Sequence, residues 1–333
     1  MSTGALDPAP RLIADIGGTN ARFALQTPRG LEDIRVLACA DHPELVDALR
    51  SYLAAVGNPA VRHVAIGIAN PVYGDRIRMT NHHWAFSTEQ TRRDLGLDTF
   101  LVLNDFAVLA RALPVLPAHE LTQVGGTTAV PGAPLGLLGA GTGLGVSGLI
   151  PAGAGRWVPL AGEGGHVSLA PFDEREVEVW RLARARHGGH VSAERVLSGP
   201  GLEFLHQALC TLAGETPTAR SAADISRLGL DGSDRRCGET LDLFCALLGT
   251  VASDLAVTLG ARGGIYIGGG IVPRLGDYFA RSPFRARFES KGRTSAYLAD
   301  IPVWVIHSPW PALLGAAAAL DQHLEPLARS SHA

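Results

Sequence analysis

Twice in this chain a short apolar run meets a turn built on Gly and Thr, and an apolar run returns. Residues 11–16, the turn Gly17-Gly18-Thr19-Asn20 and residues 21–26 make the first copy. Residues 135–138, the turn Gly139-Ala140-Gly141-Thr142-Gly143 and residues 144–150 make the second. Apolar runs of this length, bounded by turn residues, read as strands. Glycine reaches the positive φ that a tight hairpin needs, so each copy reads as a β-hairpin. One hairpin opening each half points to duplicated domains, and 333 residues suffice for two separate cores.

Elsewhere strand and helix patterns follow one another along the chain. In the first half residues 42–55 have helical spacing (Leu45, Val46, Leu49, Leu53). Residues 61–68, 76–79 and 99–103 read as strands, 81–86 as a polar-aromatic loop, and 107–112 as the start of a helix. In the second half residues 174–187, 193–197 and 201–212 read as helices, and 241–259 as a helix apolar nearly all round, hence buried. Residues 264–267 and 301–306 read as strands, 312–324 as a closing helix with Pro311 at its first position, and 329–333 as a frayed tail.

Four residues concentrate the chemistry. Leu103-Asn104-Asp105-Phe106 lies where a strand ends and a helix begins, the edge at which open α/β sheets hold ligands. Taken alone, Asp105 also reads as a plain helix N-cap. Asp15-Ile16-Gly17-Gly18-Thr19 puts a carboxylate beside a turn of N–H groups, the makings of an anion nest or of an ordinary Gly hairpin. Glu163-Gly164-Gly165-His166 has the Glu-x-x-His spacing of a metal helix, but its two glycines argue for a polar turn suited to hydrogen-bonding hydroxyl groups. Ser192-Ala193-Glu194-Arg195 reads as an N-cap followed by a first-turn Glu. Trp84, Phe86 and Trp180 read as packing aromatics.

Several classes fall away. Gly143 to Gly148 matches G-x-G-x-x-G, but Leu149-Ile150-Pro151-Ala152-Gly153 follows where a dinucleotide site needs a helix. The single lysine, Lys291, follows no Gly-rich turn, so there is no P-loop. A net charge of -3 leaves no basic footprint for nucleic acid and no membrane patch. Cys39, Cys210, Cys237 and Cys245 are scattered, which suggests neither a zinc site nor a disulfide framework. The uncharged residues 129–155 are interrupted by Gly and Pro throughout and read as turns and strands, not a membrane span. Residues 1–10 lack a signal-type apolar core, so the cytoplasm is expected.

Taken in order, six motifs strongly resemble bacterial glucokinases, of the branch lacking the cysteine-zinc motif of repressor-type sugar kinases. They are Asp15-Ile-Gly-Gly-Thr-Asn-Ala-Arg, Leu-Asn-Asp105-Phe, Gly139-Ala-Gly-Thr-Gly-Leu-Gly, Gly162-Glu-Gly-Gly-His-Val, Ser192-Ala-Glu-Arg-Val-Leu-Ser-Gly-Pro-Gly and Gly268-Gly-Gly-Ile-Val-Pro-Arg. The resemblance implies an actin-like (ribonuclease H-like) fold, two α/β domains around a deep cleft. The small domain is expected at 1–115 plus a C-terminal helix about 316–333, the large one at 116–315. It implies transfer of the γ-phosphoryl of ATP to the 6-hydroxyl of glucose with Mg²⁺, and a homodimer. Asp105 would be the general base, and Asn104, Asp105, Glu163, His166 and Glu194 would hold the sugar. Ala14, Asp15, Ile16, Gly17, Gly18 and Thr19, with Gly139, Gly141, Thr142 and Gly143, would grip phosphates. Gly268, Gly269 and Gly270 would line the adenosine side, and Asp15 would place the metal through water.

Three departures mark this chain. Ala14 replaces a frequent Gly, Ser168 stands where Asp is usual, and His307-Ser308-Pro309-Trp310-Pro311 is bulkier than the usual turn. Two competing readings are a sugar-sensing regulator on the same fold and an NAD-dependent oxidoreductase. The first lacks room for a helix-turn-helix in its N-terminal segment, and the second lacks the helix after Gly148.

Overall fold

A computed structural model describes residues 9–80 and 82–330. The expectations on residues 1–8, on Asn81 and on 331–333 lie outside the described residues. Two units divide the chain: 1–117, 153–161 and 308–333 form the first, 118–152 and 162–307 the second.

The first unit begins with β1 (Arg11–Ile16), β2 (Asn20–Thr27), β3 (Gly30–Ala38), β4 (His63–Ile68), β5 (Arg76–Arg78), β6 (Ala85–Ser87) and β7 (Thr99–Asn104). Its helices here are α1 (Leu45–Ala55), α2 (Thr88–Asp94) and α3 (Asp105–Ala112). The main sheet runs β3-β2-β1-β4-β7, with β1 antiparallel to β2 and parallel to β4, and β4 parallel to β7. Leu12, Ala14 and Ile16 join one core with Leu45, Leu49 and Tyr52 of α1, while Ile13 joins another with Val108 of α3. A strand covered on both faces has no polar alternation to show, which is why Leu12-Ile13-Ala14 in the middle of β1 is an unbroken apolar run. Ala14, fully buried mid-strand, fits this position without strain.

The second unit holds β8 (Leu121–Gln123), β9 (Leu135–Ala140) and β10 (Leu144–Pro151). After β11 (Trp157–Pro159), which belongs to the first unit, it resumes with α4 (Glu174–His187), α5 (Gly199–Leu212), α6 (Ala222–Leu230) and α7 (Arg235–Leu259). It continues through β12 (Ile265–Gly268), α8 (Val272–Leu275), α9 (Asp277–Arg281), α10 (Phe284–Glu289), α11 (Ser295–Ala299) and β13 (Val303–Ile306). Within the unit the strands run β10-β9-β12-β13-β8. β9 is antiparallel to β10 and parallel to β12, and β12 is parallel to β13. This repeats the first unit, where a β1/β2 hairpin is followed by parallel β4 and β7.

Some elements differ from their sequence expectation, each for a local reason. α1 begins at Leu45 and not residue 42, because Glu44 and Asp47 form a reciprocal capping box. Ala85 and Phe86 leave the expected loop and pair with Arg78 and Ile77. Trp84, buried beside them, donates its indole N–H to the His42 carbonyl at 2.9 Å and pins the return. α7 starts at Arg235, ahead of its apolar stretch, because the Asp234 carboxylate caps it through Cys237 N–H at 3.0 Å. Around Glu194 there is no N-capped helix: residues Ala193–Arg195 make one 3-10 turn, and Ser192 makes no capping bond.

Residues 153–161 and 308–315, expected with the second domain, group with the first unit. The last helix, α12 (Pro311–Ser330), explains this. Its Gln322 side chain accepts from Trp157 N–H at 3.4 Å and donates to Trp157 O at 3.1 Å, and Trp310 just before it packs into the core around Ile13 and Val108. α12 also runs on through Arg329 and Ser330, where a frayed tail was expected. It packs closely on α3 at Gly315, where a Cβ would lie 1.9 Å from the Val108 carbonyl oxygen. Gly315→Ala should therefore cost about 1–3 kcal/mol or more by overpacking. A denaturant midpoint equal to that of the wild type would show that the two helices can move apart freely.

Candidate functional site

In the first unit the strand register gathers the candidates on one sheet edge. Ile16 pairs with Ile68, and Ile68 with Asn104, so β1, β4 and β7 end level. From these ends leave the Gly17-Gly18-Thr19 turn, the Asn70 loop and the Asn104-Asp105 corner. Gly17 N–H donates to Asn20 O at 3.0 Å to close the turn. The end of β3 braces it: Cys39 N–H donates to Thr19 O at 2.9 Å, and the Cys39 thiol lies 3.5 Å from Gly17 O.

At the corner the N-cap of α3 is Asn104, not Asp105. Asn104 Oδ1 accepts from Phe106 N–H at 3.0 Å and Ala107 N–H at 3.1 Å, so the helix starts two residues before the expected Ala107. Asp105 is the first helical residue, where a negative charge is favoured. Its Oδ1 accepts from Phe106 N–H at 2.9 Å and from Asn104 Nδ2 at 3.0 Å. The carboxylate is thus oriented by two donors and stays partly exposed. Asn104 Nδ2 also reaches Asn70 O at 3.4 Å, while Asn70 Oδ1 takes the Thr80 N–H at 2.9 Å and the Thr80 hydroxyl at 2.5 Å. In the sequence Asn70 reads as a plain turn residue and Thr80 carries no signal, because nine intervening residues separate partners that meet only when the β5/β6 ribbon folds back.

Asp15, at the end of β1, is ion-paired with Arg22 of β2 at 2.9 Å across the hairpin. Burial pushes its carboxyl up from the ordinary value, and the Arg22 guanidinium pulls it back down. Arg22 closes the first motif, but nothing in the sequence marks it as this partner.

The second unit gathers the remaining candidates at the end of β9. The Gly139–Gly143 turn is closed by Gly141 N–H to Gly143 O at 2.8 Å. Gly268, at the end of β12, pairs with Gly139, which brings the Gly268-Gly269-Gly270 turn against it. Gly269 has φ +81°, and a Cβ there would lie 2.4 Å from the Ala140 carbonyl oxygen. Only glycine meets both conditions. The start of α5 closes in as well: Gly199 N–H donates to Gly141 O at 2.7 Å, and Ser198 caps α5 while its hydroxyl donates to Glu194 O at 2.8 Å. No helix follows Gly148, as expected: β10 runs on to Pro151.

Glu194 reaches into this turn. Its Oε2 accepts from Leu144 N–H at 2.9 Å, and a Cβ on Gly143 would lie 2.5 Å from the same oxygen. The 3-10 turn Gly164–His166 packs on β10, and a Cβ on Gly165 would lie 2.0 Å from Leu144 O. Paired glycines let the backbone approach β10, leaving Glu163 and His166 exposed at the two ends of the turn. Ser168 Oγ lies 3.2 Å from His190 Nε2, a partner the sequence did not suggest. In the bulky 307–311 segment, His307 N–H donates to Glu120 O at 2.8 Å, and Pro311 opens α12 as expected.

Chemically, each unit presents a Gly-rich turn able to face an anion, and each adds carboxylates with amide, imidazole or hydroxyl neighbours. The family model described as glucokinase matches residues 12–323. A glucokinase of Chromobacterium violaceum is 61% identical over 98% of this chain and 93% of the relative. A crystal structure of a glucokinase from an Antarctic psychrotroph is 36% identical, covers 94% of this chain and 99% of its own, and superposes with a TM-score of 0.88. A glucokinase of the ROK family from Streptomyces griseus, solved with glucose and AMPPNP, is 20% identical and covers 94% of this chain and 99% of its own, with a TM-score of 0.62. That last likeness extends the fold alone.

Proposed function

The chain belongs to the glucokinase family, with the actin-like fold of hexokinase-type sugar kinases, and from that premise we infer how it works. It is an ATP-dependent kinase that phosphorylates glucose. The acceptor is the 6-hydroxyl, and Asp105 is the general base that takes its proton. The observation carrying this reading is the Asn104-Asp105 corner: a carboxylate at a strand end, oriented by Phe106 N–H and Asn104 Nδ2. Phosphoryl transfer asks the protein mainly for positioning, charge stabilisation and a base aimed at the attacking hydroxyl.

Asn104, Glu163, His166 and Glu194 hold the ring hydroxyls. Acceptors and donors left unpaired by a wrong hydroxyl pattern are what reject the wrong sugar. Residues 14–19 and 139–143 grip phosphates through backbone N–H groups, and Gly268 to Gly270 line the adenosine side.

The donor set fits Mg²⁺. A hard cation that keeps several waters needs only one or two carboxylates beside substrate phosphates. Asp15, beside the first turn and steadied by Arg22, offers one such carboxylate. When bound, the ion neutralises charge on the transferred phosphoryl group. Asp15 would hold it through water. The cytoplasmic location expected above and a homodimer, the latter resting on family resemblance, complete the reading.

A coupled ADP-release assay over a hexose panel tests the assignment. Glucose should be the leading acceptor, chelation of divalent cations should abolish turnover, and added Mg²⁺ should restore it. ADP release that ignores glucose would sink the kinase reading, and full activity after chelation would sink the metal.

A further inference from the structure

The four cysteines carry no metal-binding spacing, yet folding brings two of them to one histidine. His206 and Cys210 lie one turn apart on α5, with Cys210 Sγ 4.0 Å from His206 Nε2. Opposite them the start of α7 supplies Asp234 and Cys237. Ligand atoms of His206, Asp234 and Cys237 all lie within 4.8 Å of one another. None of the four belongs to the sugar or nucleotide machinery.

A second observation points to a ligand. His206 is 2% exposed, and its Nδ1 has no hydrogen-bond partner among the described residues. A buried polar atom left unpaired is costly, and in a native fold it asks for an explanation such as an ion. The outer contacts a metal site needs are also in place. Asp234 Oδ2 is held by Arg220 at 2.8 Å and its Oδ1 by Cys237 N–H at 3.0 Å, each oxygen keeping a further lone pair. The cluster borders a pocket whose wall carries His206, Cys210 and Asp234 together with Glu215 and the guanidinium groups of Arg220, Arg235 and Arg236, and this pocket supplies an entry path.

We propose that His206, Asp234 and Cys237 form a binding site for a thiophilic divalent cation of the zinc class, with its fourth position open to the pocket. Imidazole, thiolate and carboxylate are the donors zinc takes, and three protein ligands leave one place for water. On binding, the Cys237 thiol releases its proton to solvent and its sulfur forms the bond to the metal. At metal bond lengths of about 2.0–2.3 Å tetrahedral donors stand roughly 3.5 Å apart, so the three must draw in by about an ångström. This proposal stands apart from the kinase reading, since it uses none of the same residues.

Cobalt(II) is the probe, added to untagged, chelator-treated full-length protein. One equivalent should bind and give a thiolate-to-cobalt charge-transfer band. Cys237→Ser should abolish that band, and His206→Gln should weaken binding by more than the roughly 10–100-fold typical of outer-shell partners. Cys245→Ser, a buried thiol elsewhere on α7, should leave the band intact. Should Cys237→Ser fail to fold by circular dichroism, Asp234→Asn replaces it, because Asn still caps a helix but is a poor ligand. No band in folded wild type, or a band unchanged in His206→Gln and Asp234→Asn, would overturn the site.

Discussion

Asp105→Asn should lower kcat by roughly 10²–10⁴, the worth of a general base, and leave glucose affinity largely intact. Asn keeps an Oδ1 to accept Phe106 N–H, and Asn104 remains the cap of α3, so the helix start should survive. The loss then falls on the proton that the carboxylate would have taken, not on the fold. Steady-state kinetics beside a glucose titration of the melting temperature separates the two. A variant that turns over near the normal rate would leave Asp105 as a helix-terminal carboxylate and nothing more.

The second large effect is expected at Glu194, and the structure makes it two-sided. Its Oε2 accepts from Leu144 N–H at 2.9 Å, directly after the Gly139–Gly143 turn, while the function proposed above puts it on the sugar. Glu194→Ala should therefore weaken glucose binding and raise the KM for ATP together. A hydrogen bond to a charged group is worth about 1.5–3 kcal/mol, or about ten- to more than a hundredfold in affinity. Glu194→Gln keeps a carbonyl oxygen for Leu144 N–H but loses the charge, so it should rescue the ATP side more than the glucose side. If the alanine variant changes glucose KM alone, the bond to Leu144 has no part in shaping the turn.

Much of this was legible in the sequence. Both hairpins, the buried central strands, α4 and α5 follow from local signals: apolar runs, Gly turns, Asp173 and Ser198 as caps, Gly188 in the left-handed region after α4. The strand-end placement of Asp105 came from the same source. Less legible was β3, whose burial is mixed and whose sequence alternates poorly, so only pairing with β2 makes it a strand.

What the sequence determined by itself is the set of chemical groups and the local turns that present them, because strand periodicity, glycine freedom and caps act over a few residues. What only the tertiary structure decided is which groups become partners. Asn104 Nδ2 reaches Asn70 O, Asp15 pairs with Arg22 across the hairpin register, Glu194 holds Leu144 N–H, and Ser168 meets His190. His206 meets Cys237 across thirty positions of intervening chain, a distance at which spacing carries no information. The physical reason is common to all of these. A hydrogen bond or ion pair depends on atoms within about 3 Å, and no local rule says which distant backbone a sheet register or a packed helix will bring there.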